Sequence, residues 1–264
     1  MKWGNCMEYI SEIYSDIGIV KKVNQDAALV RRAETDYGTV LFAVICDGMG
    51  GLQKGELASS TAVSEMSDWF EQTVPELVYG GAAPTAIKQS FTRVCRSLND
   101  RIRRYGESKG IQLGTTMAAL LLIKDAYYIC NIGDSRIYYL NKQIRQMTRD
   151  QSYIQQEMDM GRMTEAEARR SAQRNVLLQC IGVSETVTPD FYIGEFSPDC
   201  AFLLCTDGFV HVQSAEEMLK CLKPDLLGDE ADIRERLRNL TETVKSRKEE
   251  DNITSVLISV KQGA

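Results

Sequence analysis

Residues 117–140 read MAALLLIKDAYYICNIGDSRIYYL. Three apolar runs of strand length, Met117–Ile123, Ala126–Ile132 and Arg136–Leu140, are separated by Lys124-Asp125 and by Asp134-Ser135. Both dipeptides read as tight turns. Connections this short leave no room for a crossover helix, so the successive strands are expected to be antiparallel.

Working outward, 40–46 (VLFAVIC), 201–205 (AFLLC) and 253–260 (ITSVLISV) read as further strands, with a weaker one over 143–147. Helical patterns lie between them. Ala58, Ala62, Met66, Trp69 and Phe70 fall on one helical face. Ile87, Phe91, Val94, Leu98, Ile102 and Tyr105 recur every three or four residues, as do Ile233, Leu237, Leu240 and Val244. Antiparallel strands in groups, with long helices inserted, favour an α+β layered domain over a doubly wound parallel sheet.

The chain has 264 residues and a formal charge of −6, with one histidine. A single imidazole excludes a zinc site built on several of them, and any Ser–His–Asp triad would have to use His211. The acidic balance argues against general nucleic-acid binding. No run has the length of a membrane span, and the start lacks the continuous apolar stretch of a signal peptide, so a cytoplasmic protein is expected. Eight cysteines without a C-x-x-C, several inside apolar runs, read as reduced and mostly buried thiols. Residues 149–180 are polar and helix-prone; they read equally as a mobile insertion over one edge and as an ordinary surface helix pair.

The informative feature is where aspartates fall. Asp47 ends LFAVIC and opens DGMGG; Asp134 follows YYICNIG; Asp207 ends AFLLCT and precedes a glycine; Asp251-Asn252 precedes ITSVLISV. Asp16 and Asp26 bracket SDIGIVKKVNQD, where Ile17 and Ile19 look strand-like. A lone Asp-Gly is usually a turn. Several carboxylates abutting buried strands can instead converge on one rim, where their repulsion calls for a cation. Oxygen ligands without a His or Cys cluster select a hard ion, Mg2+ or Mn2+. Glycine after Asp47 and Asp207 would let the chain bend sharply there.

SDIGxVxxxNQD, ICDGMGGLQKGELAS, LGTT, IGDSRIYYL, MTRDQS, LLCTDGF and EDNIT occur in that order over residues 15–260. The set resembles the metal-dependent protein serine/threonine phosphatases (PPM, or type 2C), particularly bacterial ones. The resemblance implies a four-layer α-β-β-α sandwich, two antiparallel sheets face to face with helices outside. It implies one domain over 8–262, with 149–180 as a flap. It implies two Mn2+ or Mg2+ ions: Asp47 bridges both, the Gly48 carbonyl binds one, and Asp207 and Asp251 complete the other. Asp134 with Asp207 matches the site of a weaker third ion. The implied reaction is direct attack of a metal-bridging hydroxide on phosphoserine or phosphothreonine in proteins. The implied partners are phosphorylated proteins, substrates of a bacterial Ser/Thr kinase. A monomer is expected, with no nucleic acid and no membrane.

The sequence departs from the family pattern in several places. Lys21 stands where the family usually has an arginine that grips the phosphate; a lysine keeps the charge without the fork, and as a bare residue it reads equally as a solvated lysine. Gln25 replaces a usual Glu that holds metal-bound water, beside a retained Asp26. Gln151 replaces a common His, and Ser171-Ala172 a common His-Pro. His211 stands where many members carry Asp or Asn, with a structural role favoured over titration at the metals.

Cys95 to Arg101 and Cys130 to Arg136 match the Cys-x5-Arg pattern of cysteine phosphatases. Such a loop must offer backbone N–H groups at a helix start. Cys95 falls mid-helix and Cys130 mid-strand, so both are set aside. No Walker motif exists, since Glu56 follows Gly55. The basic stretch 88–109 reads as the solvated face of its helix, or else as a docking surface for an acidic or phosphorylated partner. Three functions remain: an active phosphatase, a pseudophosphatase binding module suggested by Lys21 and Gln25, and a phosphatase of a transcriptional partner-switching circuit. Retention of Asp47, Asp134, Asp207 and Asp251 favours the first.

Overall fold

In the computed structural model, residues 7–49, 54–168 and 170–263 are described. Gly50 and Gly51 of DGMGG, and Cys6, lie outside them. The strands are β1 (Met7–Asp16), β2 (Asp26–Thr35), β3 (Gly38–Asp47), β4 (Met117–Ile123), β5 (Ala126–Ile132), β6 (Arg136–Leu140), β7 (Ile144–Gln146), β8 (Asp190–Glu195), β9 (Cys200–Cys205) and β10 (Ile253–Gln262). They form two five-stranded sheets, ordered β1-β10-β9-β6-β7 and β2-β3-β4-β5-β8. Every ladder is antiparallel.

Side-chain alternation builds three apolar layers from these strands. In β3, Leu41, Ala43 and Ile45 point between the sheets, where they join Leu120 of β4, Phe202 of β9 and Ile258 of β10. The alternate residues Phe42, Val44 and Cys46 face α1 (Gly55–Gln72), α2 (Val74–Tyr79) and α3 (Pro84–Lys109). On the other outer face, Leu203 and Leu257 meet α6 (Asp207–Val210), α7 (Ala215–Leu222) and α8 (Glu230–Ser246). Central strands are therefore buried on both sides, which is why they read as unbroken apolar runs. The architecture is an α-β-β-α sandwich.

Two sequence expectations fail. Lys124-Asp125 does close a hairpin, with Lys124 at φ 56. Asp134-Ser135 does not: β5 belongs to one sheet and β6 to the other, so this connection crosses the sandwich. A short connection can do this because facing sheets lie only about 10 Å apart. Ile17 and Ile19 are not in a strand; they lie in the loop 17–25 between β1 and β2, exposed. The Cys-x5-Arg matches go as expected. Cys95 is buried within α3, and Cys130 is buried in β5 with its Sγ 3.8 Å from that of Cys95. No described cysteine is in a disulfide. On α3, Arg101 and Arg103 pair with Glu65 and Glu107, while Lys88, Arg93, Arg96, Arg104 and Lys109 face solvent.

Residues 149–180 hold two short helices, α4 (Tyr153–Asp159) and α5 (Glu165–Ala168). They are tied back where Ser152 bridges Leu177 and the Leu178 N–H donates to the Gln151 carbonyl at 2.8 Å. Between this segment and α6–α7 runs a cleft of about 1000 Å³, with Asp134, Asp207 and His211 along its lining.

Candidate active site

Antiparallel pairing brings the aspartates to one rim. Asp47 ends β3, and β2, its antiparallel neighbour, begins at Asp26. The two residues stand directly opposite in the ladder, a placement that is unfavourable for like charges. β5 runs in the direction of β3, so Asp134 just beyond its end reaches the same edge. In the facing sheet, β9 ends just before Asp207 and β10 starts just after Asp251, again at one edge.

Crowding shows in the acid strengths. Burial pushes Asp47 well above the usual carboxylate range, and the charges of Asp26, Asp207, Asp134 and Asp251 add to it. Burial raises Asp26 to about 7, opposed by hydrogen bonds from Thr254 and Thr206, with Asp207 and Asp251 pushing further upward. Burial, Asp207 and Asp150 raise Asp134 to about 8 against the pull of His211 and Arg136. Asp26 Oδ1 and Asp207 Oδ1 are buried with no hydrogen-bond partner. Mutually repelling carboxylates with unpartnered oxygens fit a hard divalent cation. Among the described residues, no three Asp, Glu, His or Cys side chains close around a single point as a ligand cage.

Backbone contacts fix the aspartates. The Asp47 N–H donates to Thr116 Oγ1 at 2.9 Å, and its carbonyl accepts from Thr115 Oγ1 at 2.9 Å and the Thr116 N–H at 2.9 Å. Thr116 Oγ1 also lies 2.7 Å from Ser135 Oγ, joining the Asp47 and Asp134 corners. The glycines after Asp47 and Asp207 serve close approach rather than a special backbone bend, since neither has a positive φ. A Cβ on Gly48 would run into the Gly55 carbonyl, and one on Gly208 into the Asn252 carbonyl.

The cationic and polar residues take definite places. Lys21 Nζ sits 2.7 Å from Asp251 Oδ1. Burial would weaken the Lys21 ammonium, but the hydrogen bond and charge of Asp251, with Asp47 and Asp207 behind, leave its pKa raised. The Gln25 carbonyl accepts from the Gly48 N–H at 3.0 Å, and its side chain turns to Glu56 Oε2 at 3.4 Å. His211 lies between Asp207 Oδ2 and Glu249 Oε2, each at 3.4 Å. Burial pulls its pKa down, but Asp207, Glu249 and Asp134 outweigh that and hold it at about 9.

Several further residues build the surroundings of the aspartates. Glu249, in the acidic run before Asp251, holds the far side of His211. Asn252 donates to the carbonyls of Ile17 and Val23 at 2.9 and 3.2 Å and accepts from the Gln25 N–H at 2.9 Å, clamping the loop 17–25. Arg136 forks onto Asp150 with contacts of 2.6–3.1 Å at the cleft wall. Gln151 Oε1 accepts from the Gly133 N–H at 2.8 Å while its amide donates to Asp190 Oδ2 at 2.9 Å. Arg136, Gln151 and Asn252 lie within the motifs IGDSRIYYL, MTRDQS and EDNIT, whereas for Glu249 the only sequence signal was its nearness to Asp251.

The family model described as Protein phosphatase 2C matches residues 19–257. The chain belongs to the protein phosphatase 2C family. It is 30% identical over 251 residues to the serine/threonine phosphatase stp of Listeria welshimeri, covering 94% of each chain. It is 26% identical to protein phosphatase PhpP of Streptococcus pneumoniae, covering 95% of this chain and 97% of that one. The solved serine/threonine phosphatase Stp1 from Staphylococcus aureus superposes with a TM-score of 0.81 at 26% identity, over 99% of this chain and 98% of that one. The catalytic domain of the phosphatase PstP, solved in complex with 2 manganese ions, superposes at 0.78 with 25% identity, over 97% and 100%. As a protein phosphatase 2C, the chain is a protein serine/threonine phosphatase. Among the described residues no helix is long and apolar enough to cross a membrane.

Proposed function

We propose that this phosphatase works with two divalent ions, Mn2+ or Mg2+, held by Asp47, Asp207 and Asp251 at the rim shared by the two sheets. The Gly48 carbonyl would add a backbone oxygen beside Asp47, and Asp134 with Asp207 would offer a weaker further place. The observation that carries this reading is the convergence of aspartates on one rim, where burial and neighbouring charge raise Asp47, Asp26 and Asp134, and where Asp26 Oδ1 and Asp207 Oδ1 are unpartnered. The manganese complex of the related PstP domain supports the choice of cation.

Bound ions would supply an activated water nucleophile at neutral pH and neutralise the phosphoryl oxygens. The chain's own residues do the rest. Lys21 holds the substrate phosphate as a point charge, without the two-pronged grip of an arginine. Gln25 offers a neutral hydrogen-bonding amide near the ions, and Asp26 adds negative charge behind Asp47. His211, held by Glu249, steadies Asp207. The substrates are phosphoserine or phosphothreonine segments of proteins, made by a Ser/Thr kinase. With chemistry of this kind, neither a cysteine nor a histidine nucleophile is needed.

A second reading, a binding module without turnover, draws on Lys21 engaging Asp251 and on Gln25 turned toward Glu56. Hydrolysis of a phosphothreonine peptide in Mn2+, compared with the same assay after chelation, separates the two. The enzyme reading expects turnover that chelation abolishes. Tight peptide binding with no turnover in Mn2+ would favour the binding module, and equal rates with and without metal would contradict the metal assignment.

A further inference from the structure

The loop 17–25 is unlike an ordinary solvent loop. Ile17, Ile19, Val20 and Val23 are 40–56% exposed. Singly exposed aliphatics are common, but four on one short loop make a patch. The loop is held in place. Asn252 fixes the Ile17 and Val23 carbonyls and the Gln25 N–H, the Gly18 N–H donates to Asp16 Oδ1 at 2.8 Å, and Asn24 donates to Ser15 Oγ at 2.8 Å. Its aliphatic side chains are thus presented on a tethered backbone, a surface whose ordering cost is already met before anything binds.

Lys21 lies in the middle of this loop, between Ile19-Val20 and Val23 in sequence, with its ammonium on Asp251 at the aspartate rim. A phosphoryl group brought to that ammonium carries its neighbouring residues with it, and an extended chain advances only about 3.3 Å per residue. The residues next to the phosphorylated one therefore come to rest within reach of side chains one or two positions from Lys21. Exposed aliphatics flanking Lys21 and the exposed Lys22 on one loop suit a ligand that carries apolar residues beside an anionic group.

We infer that Ile19, Val20 and Val23 form a specificity surface that selects phosphorylated protein segments carrying Val, Ile or Leu beside the phosphoserine or phosphothreonine. The inference rests on the phosphatase reading above and adds a substrate class to it.

The test uses the full chain in Mn2+ and three substrates. Two are phosphothreonine peptides of equal length and charge, one flanked by Val, Ile and Leu, the other by Ser, Gly and Asn. The third is para-nitrophenyl phosphate, which has no flanking residues. The wild type is expected to favour the aliphatic peptide by about tenfold in kcat/KM, the discrimination that burying a few methylenes supplies. The double variant Ile19→Ser with Val20→Ser is expected to lose that ratio while keeping its rate on para-nitrophenyl phosphate, which also reports that it is folded. Equal kcat/KM on both peptides in the wild type, with the aryl phosphate still hydrolysed, would overturn the inference alone. A ratio unchanged in the variant would overturn it too. So would a wild-type dimer, seen by sedimentation, that the substitutions convert to a monomer, since the patch would then serve a second copy of the chain. If even the aryl phosphate is untouched, the phosphatase reading and the inference fall together.

Discussion

Lys21 Nζ and Asp251 Oδ1 are 2.7 Å apart, and the same carboxylate oxygen accepts the Asn252 N–H at 2.8 Å. One ammonium and one backbone amide thus share this oxygen. Lys21 also stands close enough to feel the charges of Asp47 and Asp207. A cation that neutralises these carboxylates also repels an incoming divalent ion. Lys21→Met is expected to raise Mn2+ affinity severalfold, about 1 kcal/mol for a partly solvated charge, and to weaken inhibition by inorganic phosphate. Lys21→Arg is expected to keep the pairing and tighten phosphate binding through its fork. Calorimetric titration with Mn2+ and with phosphate checks both; unchanged phosphate affinity in Lys21→Met would remove Lys21 from the phosphate site.

The crowded acids give the metal-free protein a definite pH dependence. Asp26 and Asp134 have folded pKa values of about 7 and about 8 against an ordinary 3.8, and His211 about 9 against an ordinary 6.5. All three bind protons more tightly when folded. Stability is therefore greatest below the lower values and is lost as pH rises through the higher ones. In a chelator, the melting temperature is expected to fall from about pH 4 toward pH 9, and a divalent ion is expected to flatten the slope. Melting curves across that range, with and without Mn2+, check it. A chelated protein most stable at pH 9 would contradict the clustering.

Asn252 is expected to matter beyond its place beside Asp251. It is buried and makes three hydrogen bonds to the loop that carries Lys21. At about 1 kcal/mol per bond, Asn252→Ala should cost about 2–3 kcal/mol of stability. It should also release residues 17–25 to hydrogen exchange and lower kcat/KM through Lys21. Urea unfolding and exchange rates of the loop amides measure the two effects separately.

Much of this fold was legible because its central strands are buried on both faces. β4, β5 and β6 read as unbroken apolar runs with sharp ends, and α3 and α8 announce themselves by apolar spacing. The strands without such a signal lie at sheet edges. β1, β2 and β8 mix half-exposed polar and apolar residues, so their composition resembles that of a loop. Ile17 and Ile19 misled for the opposite reason, being apolar yet outside the core. The β5–β6 connection misled because turn length constrains pairing only when both strands stay in one sheet. At the site, the position of each aspartate at a strand end was visible in the sequence. The partners were not: Glu249 against His211 and Asn252 across the loop join residues far apart in the chain.

The central claim is that Asp47, Asp207 and Asp251 together hold divalent ions. Its most direct measurement is a calorimetric titration of Mn2+ into chelator-stripped protein, run beside Asp47→Asn with folding checked by circular dichroism. Two ions per chain are expected in the wild type, with loss of the tight binding in the folded variant. Equal Mn2+ binding by both proteins, or none by the wild type, would contradict it.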